Sequence, residues 1–193
     1  MRCFTVGDEA DLKRVWRLTY REYLAMNYCL PNPSEMLTHF LDLDRLPQTQ
    51  VFALEDDDGE LIATNSASLD GPGGLHTDHA WPEETQAVRR ECRERGLRLG
   101  SSWRIVTDSR NRQKLKPLLT IIDYTLQQAG PQQDVTLFTF HFDHSRIYTR
   151  LLGLEVIAGP RPDATVHGAN GVLMRGEAAV MRERWAETMR RRG

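Results

Sequence analysis

His141 closes the most strand-like run of the chain, DVTLFTFHF at 134–142, and a histidine at a strand end is a candidate general base. A neutral imidazole with an ordinary pKa of about 6.5 accepts a proton directly or through water. The alternative is a ring bonded to neighbouring backbone. His144, three residues on, reads as a solvated or helix-capping residue. Arg104 ends the run SSWR at 101–104. Its guanidinium can hold a carboxylate through two parallel hydrogen bonds, or it can close a structural ion pair. Glu55 and Asp44 are carboxylates suited to an amine, with exposed turn positions as the alternative. His76 and His79 form an HxxH pair inside DGPGGLHTDHAWP at 70–82, and no further ligands are in view. That pair reads as a solvated loop, and no metal site is expected. Cys3, Cys29 and Cys92 are too scattered for a disulfide framework and read as reduced thiols.

The elements that must position these groups follow from pattern. Arg2–Val6 reads as a strand, and Asp8 or Asp11 can cap the helix after it. In that helix Leu12, Val15, Trp16, Thr19, Tyr20, Tyr23 and Leu24 recur at three- and four-residue steps, giving an aromatic-rich face about four turns long. Pro31 and Pro33 end it. VFALE at 51–55 and ELIATNSASL at 60–69 flank Asp56–Asp57–Asp58–Gly59, a hairpin signal. Pro82 opens a polar helix over 83–95. LRLGSSWRIVT at 97–107 reads as a strand bulged at Gly100. A helix with Leu115, Leu118, Leu119, Ile122 and Leu126 on one face follows, then the strand at 134–142, a helix over 144–152, strands at 154–157 and 171–174, and a terminal helix. This order predicts an α/β (α+β) domain: a mixed, largely antiparallel central sheet flanked by helices, with a parallel pair in its middle.

The chain has 193 residues and a formal net charge of -2. That length suits one domain, expected over 1–175, with a polar, arginine-rich helix over 176–193. No apolar run is long enough to span a membrane, so no membrane span is expected. The balanced charge argues against a nucleic-acid partner. The N-terminal run MRCFTVGDEADLKR lacks the apolar core of a secretory signal, and a cytoplasmic location is expected. The charge is uneven: RRECRERGLR at 89–98 and RERWAETMRRR at 182–192 hold five arginines each. These are either solvated helical faces or a patch for an acidic partner.

In their order, these segments resemble the GNAT-type N-acyltransferases. Tyr148 and Leu152–Gly153–Leu154, within HFDHSRIYTRLLGLEVIAGP, stand at that fold's aromatic-x-x-x-LGF segment. Acetyl-CoA enzymes of this kind carry a glycine-rich loop after the central strand, whereas TDSRNRQKLKPLL has no glycine. Arg110 and Arg112 remain as side chains able to meet a phosphate. The chain is more similar to the branch of homoserine-lactone autoinducer synthases and long-chain N-acyl amino acid synthases. Their first helix carries R-x-x-x-aromatic, where this chain has Arg17 and Arg21 in WRLTYREYLAMNY. Their central strand carries E-x-S/T-R, where Ser101–Ser102–Trp103–Arg104 stands. Arg104 matches the arginine, while Ser101 replaces the glutamate and Trp103 the small hydroxyl residue.

The resemblance implies acyl transfer to an amine, with acyl carrier protein or acyl-CoA as co-substrate and no tightly bound cofactor. Such a reaction needs a base for the amine, donors for the oxyanion and an acid for the leaving thiolate. His141 is the expected base, and Tyr148 the expected acid or a packed aromatic. Backbone amides around Ser101 and Ser102 are the expected oxyanion donors. Arg104 and Trp103 are expected at the acceptor, a small-molecule amine. Trp16 and Tyr20 are expected as core that also lines an acyl channel. Arg89, Arg90 and Arg93 are expected to dock the acidic carrier. Two alternatives stay open: an acetyl-CoA enzyme with a degenerate phosphate loop, and a non-catalytic binding module of the same fold.

Overall fold

The computed structural model describes residues 1–38, 40–111, 115–163 and 166–191. Arg112 lies outside them. Strands β1 (Arg2–Thr5), β2 (Thr49–Glu55), β3 (Leu61–Leu69), β4 (Leu99–Thr107), β5 (Val135–His141), β6 (Glu155–Pro162) and β7 (Asn170–Glu177) form one sheet. Its order is β1-β2-β3-β4-β5-β7-β6. Each neighbouring pair is antiparallel except β4 and β5, the parallel pair expected in the middle. The helices are α1 (Glu9–Ala25), α2 (Leu41–Asp44), α3 (Thr77–Ala80), α4 (Pro82–Glu94), α5 (Leu115–Gln128), α6 (Ser145–Leu152) and α7 (Ala178–Arg190).

Local chemistry accounts for most boundaries. Asp8 caps α1 by accepting the Asp11 amide at 2.8 Å. In the β2–β3 turn Gly59 sits at φ 81°, and Asp56 Oδ1 accepts the Asp58 and Glu60 amides. Pro82 occupies the first turn of α4, where no backbone donor is needed. Gly153 ends α6 in the left-handed conformation.

The strands alternate between two covered faces. Val51 and Ala53 meet Leu12, Val15 and Trp16 of α1, while Phe52 and Leu54 meet Ile121 of α5. Leu99, Val135, Leu137 and Leu173 bury Trp81, Val88 and Cys92 at α4. On the other face Phe138, Val172 and Met174 pack on Ile122, Tyr148, Leu151, Met181 and Trp185. Helices α1 and α4 thus share one face, and α5, α6 and α7 the other. The arginine-rich α7 is pinned there by Met181 and Trp185, whose indole Nε1 donates to Asp123 at 2.7 Å.

Three expectations are corrected. The bulge in β4 is not at Gly100, which pairs regularly with Leu69 and Thr136. It lies at Arg104–Ile105, where β3 advances from Thr64 to Ser66 while β4 runs from Val106 back to Trp103. Arg104 carries the extra residue at φ 60°. Gly100 is glycine for space: a Cβ there would sit 2.8 Å from the Ser68 carbonyl and overlap Gln133. The HxxH segment is not a solvated loop, because α3 folds onto the sheet and leaves His76 only 3% exposed against the rings of Trp103 and Phe40. Glu55 is not an exposed turn residue: it is buried and paired with Arg2 and Arg14 at 2.7 Å each.

Candidate active site

The β4–β5 ladder runs from Leu99–Val135 only to Ser102–Phe138. Beyond it β4 continues to Thr107 and β5 to His141 without pairing, so the two parallel strands part. A cleft of about 490 Å3 opens where they do, lined by Glu22 and Tyr23 of α1, Ile105 and Thr107 of β4, Leu118 of α5, and His144, Ile147 and Tyr148 at α6. Ile105 also borders a cavity of about 30 Å3 beneath α5, walled by Ile122, Phe138, Leu152 and Met181.

Two titratable side chains share the α6 wall, four residues apart and hence on one side of a helical turn. Tyr148 is buried and stacked on Phe140 with ring centroids 3.7 Å apart. Burial, and then Tyr23, push its phenol well above the ordinary value, so it stays protonated as a donor. His144 is an exposed residue whose ring borders the cleft. Loss of water around the ring, and then the neighbouring His141, lower its pKa. Tyr23 is pushed up to about 12 by burial, with Arg104 opposing.

His141 is not among the cleft-lining residues. Its ring stacks on Tyr28 at 5.7 Å, and its Nδ1 accepts the Asp143 amide at 3.3 Å. The Asp143 carboxylate lies 3.6 Å from the same nitrogen.

The bulge turns Arg104 to the same face as Trp103, onto α2. Arg104 Nη2 donates to both oxygens of Asp44 at 2.7 Å, with side chains 1% and 0% exposed. Trp16 Nε1 donates to the same carboxylate at 2.8 Å. Among the described residues, Arg104 Nε and Nη1 have no hydrogen-bond partner although they are buried. Trp103 packs on Phe40 and His76, away from the α5 side. Tyr20 is buried, its hydroxyl accepting the Asn32 amide at 3.1 Å. Trp16 and Tyr20 therefore brace α2 and the segment after α1, and neither lines the cleft.

Ser101 and Ser102 point to opposite faces. Ser101 is fully buried on the α4 side, with no partner for Oγ among the described residues. Ser102 Oγ donates to Asn65 Oδ1 at 3.1 Å and lines the small cavity. Past Ser102, the edge of β4 that faces β5 has no ladder partner.

The loop after β4 turns its amides inward. Ser109 N–H donates to Glu22 Oε2 at 3.1 Å, Arg110 N–H to Asp108 Oδ1 at 2.9 Å, and Asn111 N–H to the Asp108 carbonyl at 3.1 Å.

Arg89, Arg90 and Arg93 sit on α4 at the other end of the sheet, beside the end of β3. Arg89 is buried and consumed by two carboxylates, Asp70 at 2.9 Å and Asp78 at 2.7 Å. Arg90 and Arg93 are exposed and make no ion pair among the described residues. Among the described residues no group of three or more His, Cys, Asp or Glu side chains converges as metal ligands would. No helix among them is long and apolar enough to cross a membrane.

The sequence marks His144 as solvated or helix-capping and does not single out Glu22, yet both line the cleft. The four-residue step from His144 to Tyr148 was a usable signal for the first. Nothing local marks Glu22, whose partner Ser109 is 87 residues away.

The architecture is that of known acyl-transferring proteins. FeeM, an N-acyl amino acid synthase from uncultured soil microbes, superposes with a TM-score of 0.73 at 19% identity, covering 95% of this chain and 93% of that one. BjaI, described as a CoA-dependent acyl-homoserine lactone synthase, gives 0.60 at 11% identity, covering 95% and 82%. An acyl-CoA N-acyltransferase from Pseudomonas aeruginosa gives 0.59 at 17% identity, covering 91% and 97%. No curated protein sequence matches the chain. The family model for the N-acyl amino acid synthase FeeM matches residues 14–177, most of the chain. The chain therefore belongs to the FeeM N-acyl amino acid synthase family and is an acyltransferase.

Proposed function

We propose that the protein moves a long acyl group from a thioester carrier, acyl carrier protein or acyl-CoA, to the amine of an amino acid or similar small molecule. The observation that carries this reading is the parting of β4 and β5 at Ser102–Phe138 directly beside Tyr148. A thioester laid in the cleft has its carbonyl against β4 peptide groups that lack a ladder partner, which suits an oxyanion. The amine nitrogen attacks the carbonyl carbon, a tetrahedral oxyanion forms, and the C–S bond breaks. His144 takes the ammonium proton, and Tyr148 delivers a proton to the departing sulfur. Arg104 is bound through both oxygens of Asp44 and, like Trp103, is buried and does not line the cleft, so this pair supports the strand from behind. His141 orders the turn that presents His144.

The cleft itself offers apolar surface at Ile105, Leu118 and Ile147 for the acyl chain, and each methylene buried there contributes about 0.8 kcal/mol. Cys3, Cys29 and Cys92 are all free thiols, in keeping with a cytoplasmic reaction on a carrier pool. Incubating the protein with acyl carrier protein charged with a long acyl chain and pooled amino acids tests the reading. Mass spectrometry should show an acyl amide whose yield falls sharply in Tyr148→Phe, a variant that keeps the ring stack on Phe140. Repeated absence of any acyl amide would return the chain to a binding role.

A further inference from the structure

A large apolar side chain standing alone on a surface is ordinary, but several gathered around one opening mark a contact surface. Among the described residues, Met26, Leu30, Phe142 and Ile147 are between 46% and 65% exposed. Met26, at the end of α1, and Ile147, on α6, both border the cleft. The stack of Tyr28 on His141 brings the other two to the same rim. Leu30 follows Tyr28 by two residues, and Phe142 follows His141 directly. Cations flank this rim. Arg146 and Arg150 stand one helical turn apart on α6, both exposed, and neither makes an ion pair among the described residues. Asp143 carries the opposing charge in the turn before α6, with its carboxylate 3.6 Å from His141 Nδ1. Two positive charges against one leave the α6 side of the mouth basic.

From this arrangement we infer that the rim of the cleft lands on an anionic lipid surface, with Leu30 and Phe142 entering the headgroup region and Arg146 and Arg150 meeting lipid phosphates. The inference deepens the acyl-transfer reading above, on which its purpose rests: a long-chain acyl amide leaves the cleft into a bilayer rather than into water. Projecting apolar side chains beside arginines are the composition of a surface that lies in a membrane interface. A bilayer accepts such side chains at any spacing, whereas a protein partner must offer each its own pocket. Every apolar group withdrawn from water adds to binding, and each arginine near anionic lipid adds an attraction that salt screens. With only two arginines and a few side chains, the anchor is shallow and reversible.

The test mixes the full chain with vesicles of phosphatidylcholine alone, or of phosphatidylcholine and phosphatidylglycerol in equal parts, and measures the sedimented fraction. Binding to the anionic vesicles should exceed binding to the neutral ones about tenfold and weaken as salt rises. Two pairs of substitutions separate the contributions. Leu30→Ser with Phe142→Ser removes apolar contacts, and Arg146→Glu with Arg150→Glu reverses the charge. Each pair should lower binding to the anionic vesicles about tenfold or more, while kcat/KM for the neutral acyl-N-acetylcysteamine thioester stays unchanged. Using both pairs guards against a folding defect in either. Equal binding to the two kinds of vesicle, binding to neither, or binding that neither folded pair alters overturns the inference. If no vesicle is bound and the arginine pair instead loses affinity for charged acyl carrier protein, the rim belongs to an acidic protein. Vesicle binding needs no turnover, so absence of any acyl amide sinks the acyl-transfer reading and leaves the landing surface standing.

Discussion

Asp44 and Arg104, 60 residues apart in the chain, meet in the interior with both carboxylate oxygens 2.7 Å from one guanidinium nitrogen. The pair is dry, and Trp16 bonds the same carboxylate. Removing one partner leaves a buried charge with nothing to neutralise it. Asp44→Asn should therefore cost about 3–5 kcal/mol of stability. Urea unfolding followed by tryptophan fluorescence measures it. A loss below about 1 kcal/mol would mean that water reaches Arg104 easily.

The base role of His144 carries a pH signature. A base works when neutral, and the cleft holds this ring below the ordinary histidine value of 6.5. The neutral form therefore dominates at a lower pH than for a free histidine. The ratio of wild-type to His144→Gln kcat/KM cancels the titration of the amine itself. That ratio should climb with pH through a midpoint below 6.5 and then flatten at about a hundred- to ten-thousand-fold. A flat ratio across the acid range removes His144 from proton transfer.

Tyr148 separates catalysis from packing. Its ring lies flat on Phe140, 9° from parallel, so Tyr148→Phe keeps the stack and deletes only the hydroxyl. The expected result is a fall in kcat of about a hundredfold or more with an unchanged melting temperature. The fall should shrink for donors with a more acidic thiol, because a better leaving group needs less protonation. Equal losses for all thiols point to a positioning role.

How much of this was readable in advance depends on the range of the contacts. The β2–β3 hairpin, the Asp8 cap and the strand ending at His141 rest on neighbours a few residues apart, and their signals are local. The parallel β4–β5 pair follows from the helix that intervenes. The bulge was misplaced because glycine is the usual flag for irregular backbone. In this chain Arg104, a residue with a Cβ, takes the left-handed conformation and is held there by Asp44. His76 looked solvated among glycines and prolines, but its burial is decided by Trp103 and Phe40, residues remote in sequence. Glu22 and Ser109 show the same limit: a pattern at three or four residues cannot register a bond spanning 87.

Gly100 offers a check on the corrected strand geometry. It pairs on both sides, and an added Cβ would press on the Ser68 carbonyl at 2.8 Å and on Gln133. Gln133 is buried and accepts the Thr136 hydroxyl at 2.8 Å, so it has little room to retreat. Gly100→Ala should destabilise the fold by about 1–3 kcal/mol. A neutral result in thermal unfolding would show that the strand can bulge there after all.

The arginines of α4 divide into one that holds the fold and two that face solvent. Arg89 clamps Asp70 at the end of β3 and Asp78 in α3, while Arg90 and Arg93 have no acidic partner among the described residues. Burial works to raise the Asp78 pKa. The Arg89 guanidinium and the Leu75 amide together outweigh it and hold the group below its ordinary 3.8. A carboxylate depressed in the folded state contributes stability above its unfolded pKa and loses it as pH falls through the folded value. Arg89→Met should therefore be destabilised relative to wild type at neutral pH, and the gap should close as pH drops from about 4 downward. Urea midpoints across that range report it. Charge reversal at Arg90 and Arg93 should leave stability within about 0.5 kcal/mol. That separation lets the double reversal test docking cleanly. If an acidic carrier lands on α4, the KM for charged carrier protein rises, while kcat/KM for the acyl-N-acetylcysteamine thioester stays put. If both stay put, the carrier approaches at the cleft end of the sheet, where the β4–β5 opening lies.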